Sequence, residues 1–117
     1  MKKPILISML SMTLLLSACG QETTRPTINY ERVGSQGKMH FTYIESGASV
    51  SKESYLQVGD YICKGESVCI VMFWNDKSLI PISLPMTDDQ VNTKVAHYNL
   101  NKNSGLHRVN VCATDGC

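Results

Sequence analysis

Val68-Cys69-Ile70-Val71-Met72-Phe73-Trp74 is an uninterrupted apolar run, β-branched or aromatic at five of its seven positions. A run this short, bounded by Ser67 and Asn75, is a strand buried on both faces rather than a helix, which needs at least about 10 residues. It is the expected core of the fold, and the flanking segments are read outward from it.

On the N-terminal side, Ser51 to Lys64 carries Tyr55, Val58 and Ile62 at helical spacing on one face. Ser51 is placed to cap this helix, Val50 and Tyr55 to staple its start, and Gly65 to stop it in a left-handed conformation. Gly59 runs against the reading, since glycine in a helix interior costs about 1 kcal/mol relative to alanine. Further upstream, Ile28 to Val33 and Met39 to Glu45 read as two short strands joined by a turn at Gly34-Ser35-Gln36-Gly37. On the C-terminal side, Asn75 to Pro85 is an irregular crossing, because Pro81 and Pro85 break any regular element. Thr87 and Gln90 then have capping-box spacing, Met86 and Val91 sit as a staple, and Asp88 and Asp89 suit the positive end of a helix dipole. That second helix is expected to bury Val91, Val95 and Tyr98 and to end over Asn101 to Gly105. Leu106 to Cys112 closes the chain as a strand. The order ββαβαβ implies one small two-layer α+β domain over residues 28–117, its helices covering one face of the sheet.

The first residues have a different character. Lys2 and Lys3 precede an uncharged apolar stretch from Pro4 to Leu16, the pattern of an export signal. The stretch is shorter than the roughly 20 residues a spanning helix requires. It ends in Leu16-Ser17-Ala18-Cys19, which resembles the lipobox of bacterial lipoprotein precursors. The resemblance implies cleavage of residues 1–18, attachment of a diacylglyceryl group to the Cys19 thiol, and palmitate or a similar acyl chain on the new amino terminus. Each buried CH₂ contributes about 0.8 kcal/mol, so two or three chains anchor stably where one does not. Gly20 to Thr27 is polar and contains Pro26, and reads as a tether of roughly 26 Å when fully extended. Many lipoproteins retained in an inner membrane carry aspartate where this chain has Gly20. The resemblance therefore implies the outer membrane, facing the periplasm, as the location in the cell envelope.

Charge excludes one large class of function. Without Lys2 and Lys3 the chain has 9 basic residues against 10 acidic ones, giving −1. Arg25, Arg32, Lys38, Lys52, Lys64, Lys77, Lys94, Lys102 and Arg108 are scattered along it, so no nucleic-acid partner is expected.

Cys63, Cys69, Cys112 and Cys117 remain after Cys19, and an even number in an exported domain reads as two disulfides. The pairing Cys63 with Cys69 and Cys112 with Cys117 is favoured over a cross-link between the two regions. Each small loop contributes about 2 to 3 kcal/mol in the chain-entropy model. A zinc site more often shows C-x₂₋₄-C pairs, a spacing that only one of the two gaps fits, and a thioredoxin-like site needs C-x-x-C, which is absent. A nucleophilic cysteine working with His97 or His107 is weighed against the even cysteine count, which favours bridges.

His40, His97 and His107 are far apart in sequence, and Asp88 and Asp89 are explained by their place at a helix start. No metal, cofactor or catalytic residue is assigned. Phe73 and Trp74 are expected in the core rather than in an interface. The segment from Cys63 to Leu106, with CxxxxxCxVMFW, SLPMTDDQ and YNxNxxxGL, resembles a segment of bacterial proteins of unassigned activity, which implies no site residue. The expectation is a membrane-anchored lipoprotein whose domain is a non-enzymatic binding or structural module, its partner an envelope protein, a cell-wall component or a secreted factor. The alternative class is a small membrane-tethered hydrolase or enzyme inhibitor.

Overall fold

A computed structural model describes residues 25–45 and 50–117. The apolar run is a strand, β3 (Val68–Trp74), at the centre of a five-stranded sheet ordered β1-β2-β3-β4-β5. Its neighbours are β2 (Met39–Ile44), which pairs with it in parallel, and β4 (Ala96–Asn101), which pairs antiparallel. The outer strands are β1 (Tyr30–Gln36) and β5 (Leu106–Val111), both antiparallel to their neighbours. Parallel strands need a long crossover. Here it runs through α1 (Lys52–Ile62), which packs on β3, β4 and β5.

The α+β class is therefore as expected, with one strand added. The helix after Thr87 does not run on to Asn101. It is a single short element, α2 (Asp88–Thr93), and the chain turns from Lys94 into β4. Val91, expected to be buried, is 46% exposed, while Tyr98 is fully buried from a strand. The physical reason lies in β3. A buried strand paired only with β2 would leave a row of amides and carbonyls unsatisfied along its other edge. Ala96, Tyr98 and Leu100 alternate with His97, Asn99 and Asn101, and that period of two lets β4 fill the edge while burying one set.

The first hairpin also differs from expectation. Pairing continues to Gln36, with Gly37 and Lys38 as the two-residue turn. Gly37 has φ +59°, which its place at the first turn position favours. Gly34 lies inside β1, next to a bulge where the register shifts between Arg32 and Gly34.

Alternation along the strands sorts the core into two clusters. One face of the sheet presents Ile44, Cys69, Val71, Phe73, Ala96, Tyr98 and Val109 to Tyr55 and Val58 of α1. Ser51 caps α1, its side chain accepting from the Ser54 amide at 3.2 Å. Gly59 finds its reason here, because a Cβ at that position would lie 2.2 Å from Cδ2 of the Tyr98 ring. The missing side chain lets α1 approach β4.

The opposite face presents Phe41, Met72 and Trp74, covered by Ile80 with Leu79, Leu84 and Met86. The cover is not a helix layer but a strap, residues 75–87, which contains a 3₁₀ turn at Lys77–Leu79 and a cis Leu84–Pro85 bond. It is pinned to β1 where the Gln36 Oε1 accepts from the Leu84 amide at 2.7 Å. Gly34 allows the approach, since a Cβ there would lie 2.8 Å from the Ile82 Cα and carbonyl oxygen. The capping box of α2 forms as the sequence predicts, with Thr87 and Gln90 satisfying each other's amides. The Trp74 indole donates to the Gln90 carbonyl at 2.8 Å, which places α2 on the strap side of the sheet rather than beside α1. Phe73 and Trp74 are both fully buried, on opposite faces.

Candidate functional site

Residues 1–24, with Cys19 and most of the expected tether, lie outside the described residues, as do residues 46–49. The cysteines that can be placed form two disulfides, Cys63–Cys69 and Cys112–Cys117. The first ties the end of α1 to the start of β3. The second closes a terminal turn around α3 (Cys112–Asp115). With these thiols consumed, none of the four serves His97 or His107 as a nucleophile.

The three histidines are not brought together. His40 and His107 project from the α1 side of the sheet and His97 from the other, as their pairing partners show. Among the described residues no group of three or more His, Cys, Asp or Glu is arranged to hold a metal ion. Asp88 and Asp89 occupy the first turn of α2, where the helix dipole favours them. Burial and then the Arg32 charge push the His40 imidazole below its usual range. His40 Nδ1 and Thr42 Oγ1 are buried without a hydrogen-bond partner among the described residues.

Two polar constellations stand out. The first joins α1 to β4 and β5. The Tyr98 hydroxyl donates to Asp60 Oδ1 at 2.8 Å, and His107 Nε2 reaches the same oxygen at 2.7 Å. The His107 ring stands edge-on to Tyr98, with centroids 5.8 Å apart. Burial, then the Asp60 hydrogen bond and charge, hold the Tyr98 phenol well above its usual range, so it stays protonated and donating. The arrangement orients rings and fastens a helix to a sheet.

The second lies on the strap side. The strap packs on β1, β2 and β3, and beyond β3 the same face changes character. Met72 is opposite His97, and His97 opposite Asn110; one row along, Ile70 is opposite Asn99, and Asn99 opposite Arg108. Directly paired residues share a face. Over these two rows the β4–β5 half is polar, with Arg108 exposed and His97, Asn99 and Asn110 partly so, and the next row ends it with Leu106, exposed opposite Asn101. Lys94, half-buried at the entrance to β4, donates to His97 Nδ1 at 3.1 Å. Burial, with the neighbouring Lys94 charge, lowers the His97 pKa to about 4 against a weak opposing effect of Asn99, so the ring is neutral and accepts that bond. Burial also lowers the Lys94 pKa, with no carboxylate acting on it. Neither Lys94 nor Arg108 forms an ion pair among the described residues.

None of these groupings is a sequence motif. The one available signal was the period of two in 96–101 and 106–111, which would have put His97, Asn99, Arg108 and Asn110 on a common face. No family model matches the chain, and neither a curated protein nor a solved structure does.

Proposed function

We propose that this protein is a lipoprotein of the bacterial cell envelope, anchored through acyl chains on Cys19 and presenting a non-enzymatic binding module. The observation that carries the reading is the order Lys2-Lys3, apolar Pro4 to Leu16, then Leu16-Ser17-Ala18-Cys19. Two short disulfides suit an oxidising compartment outside the cytoplasm. No described helix is long and apolar enough to cross a membrane, so in this reading the acyl chains are the anchor. The binding role is supported by the use made of the reactive side chains. Four thiols are spent on bridges, and Asp60, Tyr98 and His107 on a clamp. Gly20 after the acylated cysteine favours the outer membrane, with the domain in the periplasm within about 26 Å of the surface.

The test is Cys19→Ser in the producing bacterium. Acyl-lipid labelling is expected to vanish and a precursor retaining residues 1–18 to accumulate. Normal labelling and processing of the variant would sink the proposal.

A further inference from the structure

A half-buried ammonium with no carboxylate beside it is an uncommon arrangement, because taking a cation partly out of water costs free energy that a counter-ion normally offsets. Lys94 is in that position. Its polar contact is a neutral imidazole, His97, and among the described residues no carboxylate acts on either group. Along the same face stand Arg108, likewise without an ion pair among the described residues, and the amides of Asn99 and Asn110.

The strand alternation that places His97, Asn99, Arg108 and Asn110 on one surface, where Lys94 joins them through its bond to His97, places Asp60 on the other, through its bond to His107. Among the described residues the carboxylates that meet a lysine or histidine nitrogen are those of Glu31, Asp60, Glu66 and Asp115, and none of them pairs with this surface. Cations recognise carboxylates by charge, Arg by a bidentate fork, while asparagine amides both donate to and accept from hydroxyls. The rows from His97/Asn110 to Asn99/Arg108, with Lys94 before them, extend along two strands. A linear polymer can follow such a track at several points.

We propose that the β4–β5 half of the strap-side face binds a carboxylate-bearing glycan of the cell wall, with Lys94 and Arg108 engaging carboxylates and Asn99 and Asn110 engaging sugar hydroxyls. The choice of ligand rests on the envelope location proposed above. The complementarity itself rests only on the face: two cations without an ion pair among the described residues, flanking amides, and no acidic residue in β4 or β5.

The test uses the full chain purified in detergent from envelopes and sedimented with protein-free peptidoglycan sacculi. The wild type is expected to co-sediment, less so as ionic strength rises. Amidating the sacculus carboxylates is expected to abolish binding. Lys94→Gln with Arg108→Gln is expected to weaken it at least tenfold. Asn99→Asp with Asn110→Asp keeps both cations and adds repulsion, and is expected to weaken binding as much. Thermal unfolding of each variant checks that the domain is folded, and the second pair carries the test if the first does not fold. Failure of the wild type to sediment, undiminished binding to amidated sacculi, wild-type binding by a folded variant, or preference for anionic phospholipid vesicles over sacculi would each overturn the assignment. The acyl mass on Cys19 is read from the same preparation. Intact acylation without sacculus binding rejects the glycan site alone, and sacculus binding without acylation rejects the anchor alone.

Discussion

The two faces of the sheet are covered by different means. On one, α1 lies across β3, β4 and β5, its hydrogen bonds satisfied internally, and it presents Tyr55 and Val58 to a continuous apolar surface. On the other, an irregular strap covers only β1 to β3 and must find partners for its backbone one at a time, as Leu84 does with Gln36. Each cover comes close through a glycine, Gly59 beneath the Tyr98 ring and Gly34 beneath the Ile82 backbone. Each cover reaches three of the five strands, and the strap leaves its face polar over β4 and β5, where a ligand can reach it.

Adding a methyl group at each glycine measures how rigid the two covers are. Gly59→Ala would gain about 1 kcal/mol of helix propensity. Its Cβ, however, would overlap a ring that is fully buried and held by Asp60 at its hydroxyl end. Overpacking of this kind costs about 1 to 3 kcal/mol, and the severity of the overlap puts this site at the upper end. A net loss of about 2 kcal/mol is expected in urea unfolding. Gly34→Ala meets backbone atoms at 2.8 Å, but Ile82 is 72% exposed and the strap can lift outward. The expected loss is about 1 kcal/mol, the low end of the overpacking range. Equal losses at the two sites would mean that the strap is as firmly seated as the helix.

Thr87→Ala tests whether the strap depends on where α2 begins. Loss of an N-cap costs about 1 kcal/mol, which for a domain of this size lowers the melting temperature by about 4 to 8 °C. The readout is thermal unfolding with the disulfides intact, and an unmoved midpoint would mean that the capping box does not contribute to holding α2.

The remaining expected effect is on the pH dependence, to which a histidine on each face contributes. The native His97 ring takes up a proton only near pH 4, whereas in the unfolded chain it does so near 6.5. Between those values the unfolded state binds more protons, so stability rises with pH and is fully present above about 6.5. His40 contributes in the same direction. Lowering the pH from 7 to 5 is therefore expected to lower the melting temperature, and His97→Gln to remove part of that drop. The carboxylates held low by partners, Glu66, Asp76 and Asp115, lose their contribution only at more acidic pH.

Elements set by local residue chemistry are legible in the chain. Ser51 capping α1, the Thr87–Gln90 box, and the unbroken apolar run of β3 all appear where local chemistry puts them. The α+β class follows from them. The site is much less legible. Lys94 and Arg108 look like two more scattered cations, and Tyr98 fits a helical stripe as well as a strand. Over six residues, periods of 3.6 and 2 overlap too far for the pattern to decide between them.

By itself, then, the sequence determined the starts of α1 and α2, the central strand and the short cysteine loops, because each depends on neighbours along the chain. Only the tertiary structure decided that Ala96–Asn101 is a strand, that Gly59 and Gly34 mark close approaches, that Asp60 serves both Tyr98 and His107, and that one half of one face is left polar. Those outcomes turn on the open edge of β3 and on which side each cover can reach. Strand pairing is a bond between segments far apart in sequence, and no local pattern records which partner completes it.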